Sequence, residues 1–193
     1  MSPAVYQIKD LLQAYTGRWM IAGGWAIDLF LNKQTRAHSD IEIAIPRKEQ
    51  LQLQSYLEGW NFSYYHKGIP ANWEEGQFLE LPLHEIHGKK GAQNIEILLN
   101  EIEGDTWHFR RKLDITWPVD KLICHHPDGI PFLCPEVVLL YKAKDPRKKD
   151  FLDVENCLPD LSKESRSYLK ISISDTHDAS HPWVKEINLL EES

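Results

Sequence analysis

Asp40 and Glu42 stand two residues apart in the segment Ser39-Asp-Ile-Glu-Ile-Ala-Ile45, where acidic or small residues alternate strictly with isoleucine. That period of two is the signature of a β-strand. Side chains at i and i+2 leave a strand on the same face, so the two carboxylates can offer oxygens to one cation or to a pair. Hard divalent ions favour such donors, and magnesium completes its shell with water and substrate phosphates. Upstream, Gly23-Gly24 separates a short apolar strand at 19–22 from a helical pattern at 25–31. A strand-to-helix turn without side chains lets phosphate oxygens reach backbone N–H groups at the start of the helix. Glu96, on a later strand at 94–100, adds a third carboxylate. The chemistry these residues suit is the handling of a metal-bound triphosphate.

The elements that must position them read as follows. Apolar residues at Val5, Ile8, Leu11, Leu12 and Tyr15 predict a helix over 5–15, and residues 48–57 predict another. A strand is expected at 78–86, after a loop at 70–76 that contains Trp73, and Glu103-Gly104-Asp105 suits a hairpin turn into 107–110. This gives an α+β fold, a mixed sheet with helices packed on one face, over residues 1–112. Residues 113–193 form a C-terminal hairpin and helical part expected to close the acceptor cleft. Its hairpin spans 123–132 around Pro127-Asp128-Gly129, a helix starts at Pro135, Asp145-Pro146 caps a further helix to about Cys157, and one or two helices follow in 162–190, interrupted at 174–180.

Composition sets bounds on function. The 193 residues carry a formal net charge of -7, which disfavours a nucleic-acid partner, because that affinity comes from Lys and Arg on phosphates. Three cysteines without CxxC spacing give neither a disulfide framework nor a cysteine zinc site and fit a reducing cytoplasm. Residues 1–15 lack a basic then apolar leader, and the apolar run at 19–27 ends at Asp28, so neither export nor a membrane span is expected. His84, His87, His125 and His126 match no zinc pattern, since a strand sends His84 and His87 to opposite faces.

Arg36 and His38 precede Asp40, where a cation could meet phosphate or pair with Asp28 or Asp40. Trp25 reads as a packing residue. Acidic side chains at Glu74, Glu75, Glu80, Glu85 and 101–105 could line a pocket for a polyamine-like acceptor or form a solvated surface.

Ile21-Ala-Gly-Gly-Trp-Ala-Ile-Asp28 followed by Gln34-Thr-Arg-Ala-His-Ser-Asp-Ile-Glu42 resembles the signature of the aminoglycoside nucleotidyltransferases, with lincosamide nucleotidyltransferases as relatives. A weaker echo runs through Pro135-Glu-Val-Val-Leu-Leu-Tyr-Lys-Ala-Lys144 and Arg147-Lys-Lys-Asp150. The resemblance implies a polymerase-beta-like nucleotidyltransferase fold. Gly23 and Gly24 are then the triphosphate-binding turn, Asp40 and Glu42 the metal ligands, and Glu96 a third ligand or the base that takes the acceptor proton. It also places Lys142 and Lys144 near the nucleotide, where they either reach the triphosphate or stay solvated, and has Lys149 and Asp150 buttress their helix. The activity implied is magnesium-dependent transfer of a nucleoside monophosphate from ATP or another nucleoside triphosphate to a small-molecule hydroxyl. Action on a protein or transfer RNA, or a non-catalytic nucleotide-binding module, are the other expectations.

Overall fold

Ser2 caps the first helix, α1 (Pro3–Leu11), by accepting from the Ala4 N–H, and Val5 and Ile8 turn its apolar stripe into the core. The computed structural model describes residues 2–192. Next come β1 (Met20–Ile21), α2 (Gly23–Phe30) and β2 (Glu42–Pro46). A 3-10 turn, Arg47–Glu49, leads into α3 (Gln50–Tyr56), followed by β3 (Asn61–His66), β4 (Ile69–Asn72), β5 (Glu85–Lys90), β6 (Gln93–Glu103) and β7 (Thr106–His108). The chain continues through β8 (Thr116–Pro118), α4 (Val119–Leu122), β9 (Ile123–His125) and β10 (Pro131–Leu133). It ends with α5 (Pro135–Lys142), α6 (Lys148–Cys157), α7 (Lys163–Thr176) and α8 (Pro182–Glu191).

The sheet is mixed and ordered β4-β3-β5-β6-β2-β1-β10-β9, with β7 on β6 and β8 on β7. The pairs β2–β6 and β1–β10 are parallel and the others antiparallel. Because β10 pairs with β1, the sheet is built from both sides of residue 112. Ile43, Ile45, Ile86 and Ile97 are fully buried and join α2, α5 and α7 in one continuous core.

Several local expectations change. The strand expected at 78–86 is formed only from Glu85 onward. Before it, side chains consume the backbone: Gln50 accepts from the Leu79 N–H, and Arg47 donates to the carbonyls of Leu79 and Leu83 at 2.8 and 2.7 Å. Where a loop at 70–76 was expected, β3 and β4 make a hairpin about Lys67-Gly68, both at positive φ (51° and 78°), the two-residue turn that matches strand twist. The helix cap expected at Asp145-Pro146 lies two residues later, at Arg147, with Asp150 accepting from its N–H to close a capping box. The first helix stops at Leu11 rather than Tyr15, and the last two are separated at 177–181.

Arg47 is buried, and its Nε also donates to Glu101 at 2.7 Å. Arg47→Ala leaves two carbonyls and a carboxylate without their partner. We expect a loss of about 3 kcal/mol in urea unfolding, against less than about 0.5 kcal/mol for the exposed Lys48→Ala.

Candidate active site

Parallel pairing of β2 with β6 sets Glu42 opposite Glu96, and the antiparallel neighbour β5 sets His87 beside Glu96. Asp40 lies just before β2. Its carbonyl accepts from Trp25 Nε1 at 3.1 Å, and Ser39 Oγ donates to its carboxylate at 2.5 Å. Asp40, Glu42, Glu85 and Glu96 line one wall of a cleft of about 490 Å3, with Gly23 at its floor. Burial pushes the Glu96 carboxyl up to about 7, helped by the charges of Glu42, Glu85 and Asp40. Glu42 is raised for the same first reason, with Lys142 opposing and Glu85 and Asp40 adding to it. Among the described residues no three His, Cys, Asp or Glu side chains stand close enough to hold an ion as they are.

Gly23 is demanded by this wall. Its φ is +60°, and a Cβ there would stand 1.5 Å from a Glu42 carboxylate oxygen. Gly24 serves packing instead: a Cβ would meet the Arg36 guanidinium at 2.4 Å and His38 at 2.5 Å, and the residue does not line the cleft. The two glycines are the first residues of α2 rather than a turn ahead of it.

Six basic side chains line the rest of the cleft, with Asp145 and Asp150 among them. Lys142, Lys144, Arg147 and Lys149 come from α5, α6 and the link between them, and Arg110 and Arg111 from the segment after β7. Lys142 is committed to acids, reaching Asp150 at 2.6 Å and Asp153 at 2.9 Å. Lys144 and Lys149 make no ion pair among the described residues. Arg110 lies over the Tyr141 ring at 5.3 Å, and Arg111 donates to the Tyr141 carbonyl at 2.8 Å. Burial lowers the Arg110 guanidinium. Sequence reasoning missed both arginines; their adjacency after an aromatic strand was the available signal, but only the fold brings them into the cleft.

Arg36 lies outside the cleft. It forms a two-pronged pair with Asp153, at 2.8 and 3.0 Å, rather than with Asp28 or Asp40. Asp28, fully buried, accepts from the Thr35 N–H and hydroxyl and bonds His38 Nε2 at 2.5 Å, while the His38 ring packs 4.1 Å from Trp25. This buried anchor fixes the loop that delivers Asp40. Of the acids suggested for a polyamine pocket, only Glu85 lines this cleft; Glu74 and Glu75 border a separate hollow. No helix among the described residues is long and apolar enough to cross a membrane.

A model of the family described as aminoglycoside-2''-adenylyltransferase matches residues 4–156. Among solved structures, the lincosamide antibiotic adenylyltransferase LnuA with lincomycin bound is similar, with TM-score 0.57 and 20% identity over 81% of this chain and 96% of that one. ANT(2'')-Ia in complex with adenylyl-2''-tobramycin gives TM-score 0.62 and 14% identity over 90% and 99%. The solution structure of ANT(2'')-Ia gives 0.59 and 14% over 98% and 94%. At these identities the likeness is one of fold. No curated protein sequence matches the chain.

Asp150 supplies a pH test of the wall that carries Lys142. Burial alone would raise its carboxyl, but hydrogen bonds from Arg147 and Lys142 outweigh that and hold it at about 2, below the ordinary 3.8. Its stabilisation is therefore complete above about pH 4 and is lost as pH falls through 2. Asp150→Asn should cost about 2 kcal/mol at pH 7 in chemical denaturation, a difference that shrinks between pH 4 and 2.

Proposed function

The chain belongs to the aminoglycoside-2''-adenylyltransferase family, and from that premise we propose that it is a metal-dependent nucleotidyltransferase. It moves a nucleoside monophosphate, from ATP or another nucleoside triphosphate, to a hydroxyl of a small antibiotic-like acceptor. The observation that carries this reading is the convergence of Asp40, Glu42 and Glu96 on a cleft that Lys142, Lys144, Arg147 and Lys149 also line. Lincomycin and adenylyl-2''-tobramycin, bound by the two structural neighbours, support an acceptor of that size.

The carboxylates fit a hard divalent ion. All their donors are oxygen, and burial with mutual repulsion holds Glu96 near 7, the state that a bound cation relieves. Asp40 and Glu42 would hold magnesium, with Glu96 either its third ligand or the base, and the ion would neutralise charge at the reacting phosphate. Lys144 and Lys149 have their ammonium groups available for the outer phosphates, and Lys142, already bridging Asp150 and Asp153, tethers α5 to α6 over the cleft. Gly23, at the first turn of α2, leaves room for the Glu42 carboxylate to stand beside the backbone there. The acceptor oxygen attacks the alpha-phosphorus, the bond to the bridging oxygen breaks, pyrophosphate leaves, and the hydroxyl proton passes to Glu96 where that carboxylate is not bound to the metal.

The reading is tested by titrating a non-hydrolysable ATP analogue with magnesium into the wild type and into Asp40→Ala and Glu42→Ala. We expect the wild type to bind and both variants to lose the magnesium-dependent part of the affinity. Absence of binding by the wild type with magnesium or manganese contradicts it. Lys149→Ala should raise the KM for the nucleoside triphosphate by about tenfold, equivalent to about 1.4 kcal/mol, with a smaller change in kcat in steady-state assays.

A further inference from the structure

Three carboxylates face the cleft, but the sheet fixes only two of them. Glu42 and Glu96 lie opposite each other inside paired strands, where the ladder sets their main-chain positions. Asp40 stands outside it. Pairing with β6 begins one residue later, where the Glu96 N–H donates to the Ile41 carbonyl at 3.0 Å, and Asp40 itself is an exposed residue following 32–39, a stretch with neither helix nor strand. A magnesium ion demands near-ideal octahedral geometry, so a ligand at the end of such a stretch has to be held by something other than the sheet.

The holding group is the indole of Trp25. Its Nε1 donates to the Asp40 carbonyl at 3.1 Å, the one hydrogen bond that the Asp40 main chain makes among the described residues. Packing accounts for the Trp25 ring, which is buried and lies 4.1 Å from the His38 ring, but not for where its N–H points. An indole is a donor only, and a buried donor left without an acceptor is costly, so the bond fixes both partners. Trp25 and Asp28 are three residues apart on α2 and therefore on one face of it. Asp28 holds His38 and Trp25 holds Asp40, so the helix grips the approach to β2 at two points two residues apart. Trp25 does not line the cleft.

We propose that Trp25 is a positioning residue for the metal site, its indole N–H setting the Asp40 main chain so that the carboxylate meets the same ion as Glu42. The inference rests on the nucleotidyltransferase reading and adds to it a residue that acts through Asp40 from outside the cleft. The role is that of an outer partner that orients a ligand, whose loss weakens metal binding while leaving the donor set intact.

The experiment titrates the non-hydrolysable ATP analogue into the full chain with and without magnesium and follows urea unfolding of the same proteins. Trp25→Phe keeps a ring against His38 and removes the N–H. A second variant, Trp25→3-benzothienylalanine, keeps the shape of the indole with sulfur in place of the N–H and decides the question should the phenylalanine variant fail to fold. The expected result in both is a loss of about tenfold in the magnesium-dependent part of the affinity, with the metal-free affinity unchanged. A variant that unfolds at lower urea yet keeps the full magnesium-dependent gain reduces Trp25 to packing and overturns the assignment, as does a loss that is equal with and without magnesium. A wild type without any magnesium-dependent binding instead removes the nucleotidyltransferase reading on which the assignment depends.

Discussion

The parallel pairing of β2 with β6 places Glu42 directly opposite Glu96, and much of the site follows from that one register. A shift of β2 by one residue would send Glu42 into the core and bring Ile43 out to the cleft. The buried isoleucines on the far side of the two strands therefore fix where the acids go. Burying carboxylates side by side in this cleft opposes folding of the ligand-free protein: burial first, and the neighbouring acids second, raise the Glu96 carboxyl. The hydrophobic core on the opposite face offsets this. The same crowding explains Gly23, whose missing Cβ leaves room for the Glu42 carboxylate.

A second layer of charge organises the surroundings without facing the carboxylates. Asp153 joins Arg36, from the loop before β2, to Lys142 on α5, and Asp150 joins Lys142 to Arg147 at the start of α6. One nearly continuous network thus ties the loop that presents Asp40 to the helices that carry basic side chains into the cleft. The acids in it are almost fully buried and each has at least two cationic contacts, the arrangement in which buried ion pairs hold geometry. Asp28 adds a polar clasp through Thr35 and His38. Both walls of the cleft are thereby referred to one scaffold.

Much of this was legible in the sequence because it is local. The alternation around Asp40 and Glu42, the Asn94 to Asn100 strand with Glu96, the Glu103-Gly104-Asp105 hairpin and Pro135 at a helix start each follow from short-range rules. What was not legible depends on distant partners. Arg36 carries a charge suited to phosphate, and only the fold reveals that Asp153, 117 residues away, claims it. The stretch from Phe78 to His84 has strand-like composition, yet Arg47 and Gln50 take the hydrogen bonds a strand would need. Arg110 and Arg111 gain their position from pairing of β7 with β6 and from Tyr141, neither visible in their own neighbourhood. The hairpin of β3 and β4 was missed because its strands are polar and aromatic rather than cleanly alternating, although Lys67-Gly68 marks the turn.

The central claim is that Asp40, Glu42 and Glu96 form a metal-dependent site for nucleotidyl transfer. The most direct measurement is magnesium-dependent transfer of label from alpha-phosphate-labelled ATP to an acceptor hydroxyl, comparing the wild type with Glu96→Gln. We expect the wild type to produce one labelled nucleotidyl adduct and one pyrophosphate per turnover, and the folded variant to lose at least a hundredfold in kcat. Transfer that persists without a divalent ion, or a Glu96→Gln enzyme of undiminished rate, would contradict the account.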